Sequence, residues 1–229
     1  MTATTTAQAL RAQEVTRVFR TGSVEVHALR GVSLAVAPGE LLVVRGPSGS
    51  GKTTLLNVLG GLDRPTTGRV LLGDRELSAL PEDEVLALRR TRLGYVFQSF
   101  GLIPVLSAAE NVEVPLRLLE LPAAERDERV RRALETVGLA GHAHQRPAEL
   151  SGGQQQRVGI ARALVAEPDV LLADEPTGQL DSRTAAVVSD LIRDLTHRRG
   201  VAAVVTTHDQ VLMERADRVV ELVDGELQG

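Results

Sequence analysis

A glycine-rich loop between two apolar segments is the feature of the sequence that most constrains the fold. The loop, GPSGSGKT at positions 46–53, follows the continuous apolar run Leu41–Val44 and precedes the helix-like stretch Thr53–Leu59. A short, wholly apolar run of this kind is typical of a strand buried on both faces. The sequence therefore predicts a buried strand that is joined by a tight loop to a helix.

The same loop is suited to bind the phosphates of a nucleotide. Glycines let the backbone curl without Cβ clashes, and the successive N–H groups attract an anion together with the helix N-terminus. Lys52 supplies a positive charge to the β- and γ-phosphates, and Thr53 supplies a hydroxyl for Mg²⁺. An ordinary Gly-Ser turn is the alternative, but Lys-Thr at this offset favours a phosphate site. The residues predicted to bind the nucleotide are Gly46, Pro47, Ser48, Gly49, Ser50, Gly51, Lys52, Thr53 and Thr54.

Composition argues against several other kinds of protein. Aromatic residues make up only 2% of the 229 residues, which disfavours a base-stacking nucleic-acid surface. With 26 basic and 30 acidic residues the net charge is −4, so we expect no nucleic-acid partner. The chain has no cysteine, which excludes disulfides and thiolate metal sites. The N-terminus does not resemble a signal peptide, and no run approaches the roughly 18 apolar residues of a membrane span, so we expect a cytoplasmic protein.

Short β-branched segments predict an antiparallel sheet near the N-terminus. Val15–Phe19, Val24–Leu29 and Val32–Val36 are separated by glycine or polar turns, and Gly68–Leu72 reads as a further strand. The segment before them is rich in Thr, Ala and Gln. We predict a flexible tail over residues 1–11 and an antiparallel β subdomain after it.

The middle of the chain is helical in its periodicity. Ser107–Leu119 and Ala123–Val137 are rich in Leu, Ala, Arg and Glu, and Pro115 is expected to interrupt or kink the first of them. Ser151 can cap another helix that ends near Ala166. We therefore predict a helical lobe over residues 98–166.

Strands and helices alternate again in the last third of the chain. Val170–Ala173, Val201–Thr206 and Arg218–Val223 predict strands, and Ser182–Arg199 predicts a helix, as does a short stretch after His208. Such alternation implies a parallel sheet with helices on both sides. We predict one domain over residues 1–229, with a catalytic core at 12–97 and 167–229 and the helical lobe inserted between its two parts.

An acidic pair follows the predicted strand Val170–Ala173. A buried parallel strand delivers its last residues to the carboxyl edge of the sheet, where ligands bind. Asp174 is therefore a candidate ligand for Mg²⁺, and Glu175 a candidate general base for an attacking water. The alternative is a surface acidic turn that Pro176 ends, but a phosphate loop in the same chain favours the catalytic interpretation.

A second glycine-rich helix start lies in the helical lobe, in LSGGQQQR at 150–157. A plain N-cap explains Ser151 followed by two glycines if this segment is considered alone. However, the backbone here can also approach an anion, and the helix dipole favours negative charge. Two phosphate-attracting helix starts in different lobes suggest that two chains enclose one nucleotide.

The ordered set of motifs resembles the ATP-binding subunits of ABC transporters over essentially the whole chain. The segment 150–157 resembles their signature motif, and Asp174-Glu175 resembles the Walker B pair. Gln98 matches the Q-loop glutamine, Asp181 the D-loop aspartate and His208 the switch histidine. Phe19 falls where an aromatic ring usually stacks on adenine, although tyrosine is commoner there. Gln179 stands where asparagine is common in the branch described below.

The resemblance implies a P-loop ABC ATPase fold, ATP and Mg²⁺ as cofactors, and a head-to-tail homodimer. Glu175 and His208 are then the catalytic residues, and Phe19 and Gln98 join the loop residues in binding ATP. The metal ligands implied are Thr53, Gln98 and Asp174. The signature residues that would cover the ATP of the other chain are Ser151, Gly152, Gly153 and Gln154, with Asp181 at the dimer contact.

Several segments resemble the lipoprotein-release and macrolide-export branch of this family, among them GPSGSGKTTLLN at 46–57 and GGLDRPT at 60–66. That resemblance implies a transmembrane permease partner with a large extracytoplasmic domain, and this partner would dock near Phe100–Leu106. The ATPase would then lie on the inner face of the membrane. A regulatory role on a cell-wall hydrolase stays open, and a DNA-repair or ribosomal ATPase is disfavoured by the length. His142 and His144 are interpreted as solvated loop residues.

Overall fold

Two β-sheets and seven α-helices make up the computed structural model, which describes residues 8–22 and 24–228. The N-terminal sheet is antiparallel, with strand order β2-β1-β4-β5. Its strands are β1 (Leu10–Thr21), β2 (Val24–Val36), β4 (Thr67–Leu72) and β5 (Arg75–Glu76). This is the predicted antiparallel subdomain.

The second sheet has the strand order β10-β9-β3-β8-β7-β6 and forms the centre of the fold. All neighbouring strands in it are parallel except the final pair β9 and β10. Its strands are β3 (Leu41–Arg45), β6 (Leu93–Val96), β7 (Val170–Asp174), β8 (Ala202–Thr206), β9 (Arg218–Val223) and β10 (Glu226–Gln228). The predicted parallel sheet is present, with an antiparallel strand at one edge.

Helices cover the central sheet and form the middle lobe. The helices are α1 (Lys52–Leu59), α2 (Glu82–Arg92), α3 (Ala108–Leu118), α4 (Ala123–Thr136), α5 (Gly152–Leu164), α6 (Ser182–Arg199) and α7 (Gln210–Glu214). Helices α3, α4 and α5 pack on one another within residues 98–166. In the described part of the chain, none of the helices has the length and apolar character needed to cross a membrane.

The central sheet separates two apolar cores, which explains the uninterrupted apolar runs in its strands. In β3, Leu41 and Val43 point into a core shared with α3, α5 and α6. Leu42 and Val44 point into the opposite core, shared with α1 and the antiparallel sheet. All four side chains are fully buried. Because both faces of the sheet are covered at its centre, the buried parts of β3, β7 and β8 need apolar residues at consecutive positions.

Two predictions about the first strands are wrong. The tail boundary at residue 11 is too late, because Leu10 and Arg11 belong to β1 and Leu10 is buried between Val36 and Leu72. Residues 1–7 of the predicted tail lie outside the described residues. The two strands predicted at 24–29 and 32–36 are the single strand β2. Gly31 does not form a turn but a β-bulge with φ of 77°, so the ladder continues past it.

Two further differences concern helices. Pro115 does not interrupt α3, which continues to Leu118, and the carbonyl of Pro115 still accepts a hydrogen bond from Leu119 N at 3.1 Å. The sequence interpretation missed α2 and β6 altogether. Helix α2 buries only Val85, so its apolar pattern is too weak to be recognised from periodicity.

Candidate nucleotide site

Three parallel strands end side by side at one edge of the central sheet, and the predicted site residues follow them. Val44 of β3 pairs with Thr206 of β8, which in turn pairs with Asp174 of β7. The glycine loop leaves β3, the acidic pair ends β7, and His208 follows β8. The sheet therefore places motifs that are far apart in sequence around a single crevice, as expected for an open α/β sheet.

The glycine loop has a backbone shape that only glycine allows. Gly46 and Gly51 have φ angles of 156° and 103°. A Cβ on Gly46 would lie 2.0 Å from the carbonyl oxygen of Leu222, and one on Gly51 would lie 2.4 Å from that of Ala28. Ser50 Oγ is buried and has no hydrogen-bond partner among the described residues. The loop is thus a tight cradle with a polar atom available to a ligand, and it opens directly onto the N-terminus of α1.

Lys52 lies inside this cradle. Its side chain is buried, and Nζ donates hydrogen bonds to the carbonyl oxygens of Gly46 at 2.7 Å and Pro47 at 3.0 Å. Nζ also lies 3.2 Å from Nε2 of His208. A buried ammonium group requires such partners. The contacts hold the positive charge within the loop, where the phosphates of a nucleotide would meet it.

Oxygen ligands suited to Mg²⁺ meet beside the loop. Thr53 Oγ1 donates to Asp174 Oδ2 at 2.9 Å, and Thr206 Oγ1 donates to Asp174 Oδ1 at 2.6 Å. Hydroxyl and carboxylate oxygens are hard donors that Mg²⁺ prefers alongside phosphate and water oxygens. The donor set at Thr53 and Asp174 therefore fits the implied metal.

The third predicted metal ligand, Gln98, lies apart from this pair. It follows β6, its side chain is exposed, and Nε2 lies 3.9 Å from the position that a Cβ on Gly178 would take. No hydrogen bond joins it to Thr53 or Asp174 within the described ranges. Gln98 thus lies at the correct edge of the sheet, next to the loop that follows the acidic pair, without touching the other two metal ligands.

Glu175 and His208 contact each other. Glu175 Oε2 accepts a hydrogen bond from the backbone N–H of His208 at 3.2 Å, and Oε1 lies 3.3 Å from its Nε2. Glu175 has a positive φ of 43°, which is uncommon outside glycine. Strained backbone of this kind is concentrated at functional sites. The carboxylate is only 14% exposed, so it is held in the crevice next to the loop.

Phe19 lies near the end of β1 and is 39% exposed. The guanidinium of Arg17 lies 4.3 Å from its ring centroid, and Arg17 Nε also forms an ion pair with Asp63 at 2.7 Å. The cation–π contact covers one face of the ring. Phe19 thus presents an aromatic surface with a supported orientation, as a base-stacking residue requires.

The helix start at Ser151 forms a complete capping box. Ser151 Oγ accepts from Gln154 N at 3.3 Å, and Gln154 Oε1 accepts from Ser151 N at 2.8 Å. A Cβ on Gly153 would lie 2.1 Å from Cγ2 of Thr184, so the first turn of α5 packs directly on α6. Among the hydrogen bonds within residues 8–22 and 24–228, none connects this turn to the glycine loop of the same chain.

Asp181 caps the following helix, α6. Its carboxylate accepts from the backbone N–H groups of Arg183 and Thr184, each at 3.1 Å. Hydrogen bonds from the side chain and backbone of Thr184 lower the pKa of Asp181. The residue is therefore a stable anion at a helix N-terminus, on the surface that also carries the start of α5.

The interpretation of His142 as a solvated loop residue is wrong. The side chain is half-buried, and its two ring nitrogens contact Gln145 and the signature glutamine, Gln154. His144, in contrast, is exposed as predicted. Neither spacing nor composition distinguishes these two histidines, because the contact depends on how the segment between α4 and α5 is folded.

Known proteins resemble this chain over nearly its full length. The family model described as "ABC transporter" matches residues 29–178. An uncharacterized ABC transporter ATP-binding protein of Thermotoga maritima is 47% identical and covers 94% of the chain and 92% of its own length. The lipoprotein-releasing system ATP-binding protein LolD of Legionella pneumophila is 45% identical, covering 95% of the chain and 96% of its own length.

A longer relative and a solved structure agree with these matches. The macrolide export ATP-binding/permease protein MacB of Brucella melitensis is 46% identical over 95% of the chain, which spans 34% of that protein. The dimeric ATP-binding cassette MJ0796 of Methanocaldococcus jannaschii, solved with ADP and Pi, superposes with a TM-score of 0.89. It is 41% identical, and the match covers 96% of this chain and 97% of that one. The predicted fold and resemblance are thereby confirmed: the chain belongs to the ABC transporter family, as one of its ATP-binding and ATP-hydrolysing subunits.

Proposed function

We propose that the chain hydrolyses Mg²⁺-bound ATP as a head-to-tail homodimer and drives a transmembrane permease subunit from the inner face of the membrane. The observation that carries this proposal is the cluster at the sheet edge beside the glycine loop. There, Nε2 of His208 lies 3.2 Å from Nζ of Lys52 and 3.3 Å from Oε1 of Glu175. The core at residues 12–97 and 167–229, extended by the start of β1, would hold the nucleotide, and residues 98–166 would form the lobe that faces the partner copy.

The glycine loop would bind the phosphates by replacing contacts that it now makes internally. Lys52 donates to two loop carbonyls, and phosphate oxygens are stronger acceptors for an ammonium group. The other residues of the loop, except Pro47, which has no N–H group, offer backbone donors, and α1 offers its N-terminus. Phe19, with Arg17 behind its ring, would stack on adenine. Binding would therefore exchange weak internal contacts for charge-assisted ones.

Mg²⁺ would be held by Thr53 and Asp174, with Gln98 joining them when the nucleotide is bound. The metal would neutralise charge on the β- and γ-phosphates. Thr206 donates to the other oxygen of Asp174 and so fixes the orientation of that carboxylate. Gln98 connects this site to the helical lobe, since it begins the segment that leads to α3.

Glu175 would orient and deprotonate the attacking water, while His208 would contact the γ-phosphate. The contact between Glu175 and the backbone N–H of His208 keeps the carboxylate pointed into the crevice. A general base must lie within hydrogen-bond reach of the water that it activates. Both residues project from the ends of neighbouring strands, so their mutual position is set by the rigid sheet.

The second half of the site would come from another copy of the chain. The signature turn, Ser151 to Gln154, has an exposed cap and makes no described hydrogen bond to its own glycine loop. Helix α5, which it starts, is long enough to present a useful N-terminal charge. The dimeric state of MJ0796 supports the same arrangement here. Asp181, at the start of α6, would take part in the dimer contact.

An apolar groove beside the helical lobe would receive the permease. The cavity measures about 310 Å³ and contains the exposed apolar side chains of Leu62, Leu86, Phe97 and Leu118. Ile103 lies nearby in the segment proposed for docking and is also exposed. The names of LolD and MacB support a lipoprotein-release or macrolide-export partner. We propose that this partner carries a large extracytoplasmic domain.

The Glu175→Gln variant tests the catalytic assignment. We expect steady-state ATP hydrolysis to fall by at least about a hundredfold, which is the loss typical of a missing general base. In the presence of ATP, the variant should accumulate as a stable dimer. ATPase assays and sedimentation measurements on the same preparation follow both effects. Glu167→Gln is the matched control, since Glu167 is exposed and lies outside the site. Continued turnover by Glu175→Gln would disprove the role of this residue, and a protein that stays monomeric with ATP would disprove the dimer.

A further inference from the structure

His142 lies between α4 and α5 and contacts the signature turn through its side chain. Nδ1 of the imidazole lies 2.6 Å from Oε1 of Gln145, and Nε2 lies 3.3 Å from Nε2 of Gln154. All three side chains are half-buried. The proposed function gives Gln154 a role at the nucleotide but leaves His142 without one.

The segment that carries His142 is fixed to the helical lobe. The carbonyl oxygens of Ala143 and Gln145 accept hydrogen bonds from the first two N–H groups of α3, at 2.9 and 2.8 Å. The N–H of His142 donates to the carbonyl of Leu139 at 2.9 Å. The imidazole is therefore presented to Gln154 from a backbone that is anchored on both sides.

The backbone N–H group of Ser151 determines which atom donates and which accepts in the hydrogen bonds among Gln154, His142 and Gln145. The N–H of Ser151 can only donate, and it does so to Oε1 of Gln154 at 2.8 Å. The amide nitrogen of Gln154, which is also only a donor, must then face the imidazole. Nε2 of His142 therefore accepts, Nδ1 carries the proton, and Gln145 Oε1 accepts from Nδ1. Only one neutral tautomer of His142 satisfies all of these contacts.

We propose that His142, neutral and protonated on Nδ1, is a positioning residue that holds the side-chain amide of Gln154 in place for the nucleotide bound by the partner copy. The proposal rests on the function proposed above, in which the signature turn covers that nucleotide. With His142 present, the amide is ordered before the dimer forms, so less conformational entropy is lost on closure.

The proposed role of His142 can be distinguished from a purely structural role in stabilising α5. Ser151 Oγ accepts from Gln154 N, and Gln154 Oε1 accepts from Ser151 N, so the capping box is complete without His142. Loss of the imidazole would leave α5 intact and free the amide nitrogen of Gln154 together with the side-chain oxygen of Gln145. Dimer formation should then weaken while the thermal stability of the monomer hardly changes.

Two substitutions at this position separate the two ring nitrogens. In His142→Gln the terminal amide stands about where Nε2 was and can still offer an acceptor to Gln154. In His142→Asn the amide stands about where Nδ1 was, so it reaches Gln145 but not Gln154. His144→Asn is the matched control, because His144 is exposed in the same segment.

Dimerisation with ATP is measured by analytical ultracentrifugation, with each change made in the Glu175→Gln background. We expect His142→Asn to weaken dimerisation about five- to tenfold, because the freed Gln154 side chain must then be ordered at each of the two nucleotide sites when the dimer closes. The ATP affinity of the monomer should be unchanged. His142→Gln and His144→Asn should stay within about twofold of the parent. In a Gln154→Ala background, His142→Asn should have no further effect.

Nitrogen-15 NMR of the monomer tests the contact without any dimer. We expect the Nδ1-protonated tautomer for His142, and faster hydrogen exchange of the Gln154 side-chain amide in His142→Asn. The Nε2-protonated tautomer, equal behaviour of His142→Asn and His142→Gln, or an additive effect with Gln154→Ala would each overturn the proposal. A Glu175→Gln parent that fails to dimerise would overturn the proposed function instead, and the NMR result would then decide the contact alone.

Discussion

At the scale of single residues, Lys52 is set apart because it is the only lysine among the 26 basic residues of the sequence. The other 25 are arginines, whose planar guanidinium suits surface ion pairs. The glycine loop instead holds a compact point charge, with its Nζ within 3.0 Å of two loop carbonyls. Because a guanidinium carries its donors on a planar fork and not on one compact nitrogen, arginine is not equivalent to lysine at this position.

Because Lys52 is the single lysine, the rate of its chemical modification reports directly on the nucleotide site. Apart from the N-terminal amine, an amine-selective acylating reagent can modify only Lys52. We expect Mg²⁺ and ATP to slow this modification at least about tenfold, because bound phosphates both cover the amine and hold it in its charged, unreactive form. Peptide mass spectrometry after timed labelling gives the rate, and labelling of the N-terminal amine is the internal control. An unchanged rate at Lys52 would mean that phosphates do not reach it.

At the scale of secondary-structure elements, a buried carboxylate joins α3 to α4. Glu113 on α3 is 12% exposed and forms ion pairs with Arg117 at 2.7 Å and with Arg126 of α4 at 2.6 Å. Burial raises the pKa of Glu113, but hydrogen bonds from the two arginines outweigh it, so the pKa is lowered overall. The charged carboxylate therefore stabilises the contact between the two helices.

Glu113→Gln should destabilise the protein in a pH-dependent way. Because the folded pKa is below the unfolded value of about 4.3, the stabilisation is complete above that pH and is lost as the pH falls through the folded pKa. We expect the variant to be about 1 to 2 kcal/mol less stable at pH 7, with the difference shrinking below about pH 4. Urea unfolding at several pH values measures this.

The exposed ion pair of Glu125 and Arg129 on α4 provides the control for that measurement. Its geometry is similar, with a distance of 2.7 Å, but Glu125 is 43% exposed. Glu125→Gln should change stability by less than about 0.5 kcal/mol because exposed pairs contribute little. A difference for Glu113→Gln that stayed constant from pH 3 to pH 7, or equal effects of the two substitutions, would contradict the assignment.

The elements also show which features a sequence reveals. The run Leu41–Val44 of β3 was predictable because both of its faces are buried, so each of its positions must be apolar. Helix α2 was not, since only Val85 is buried and Leu88 packs on the core only in part, which is too little for a clear periodic pattern. Gly31 looked like a turn because a glycine at a bulge cannot be distinguished locally from a glycine in a loop. The contact of His142 with Gln154 depends on tertiary packing over a separation of 12 residues, which no local pattern records.

At the scale of the whole molecule, the proposed function divides each copy into two half-sites that act on different nucleotides. The glycine loop lies at the edge of the central sheet, whereas the signature turn begins a helix of the lobe, and no described hydrogen bond connects them within one chain. A subunit should therefore bind ATP alone but hydrolyse it only as part of a pair. Activity per subunit should accordingly fall on dilution.

Mixing two inactive variants tests this arrangement more directly than dilution. Lys52→Ala removes the loop half-site. Gly152→Asp places a carboxylate at the signature turn, where a Cβ would have ordinary contacts at 3.6 and 3.7 Å and the charge would repel phosphate. In a mixed dimer one nucleotide site carries both lesions, whereas the other combines the intact loop of one subunit with the intact signature turn of the other. Random pairing at equal concentrations puts about half of the dimers in this mixed form.

We therefore expect a mixture of the two variants to recover about a quarter of the wild-type ATPase activity, since half of the dimers would each have one of two sites working. Each variant alone should stay near background. Mixtures of each variant with Lys52→Ala/Gly152→Asp double-mutant subunits are the control, because no pairing there builds an intact site. A site formed within one chain predicts no recovery in any mixture, because each variant would carry its own lesion. The ATPase rate of the mixture thus decides whether the phosphate loop and the signature turn act on one nucleotide from two chains.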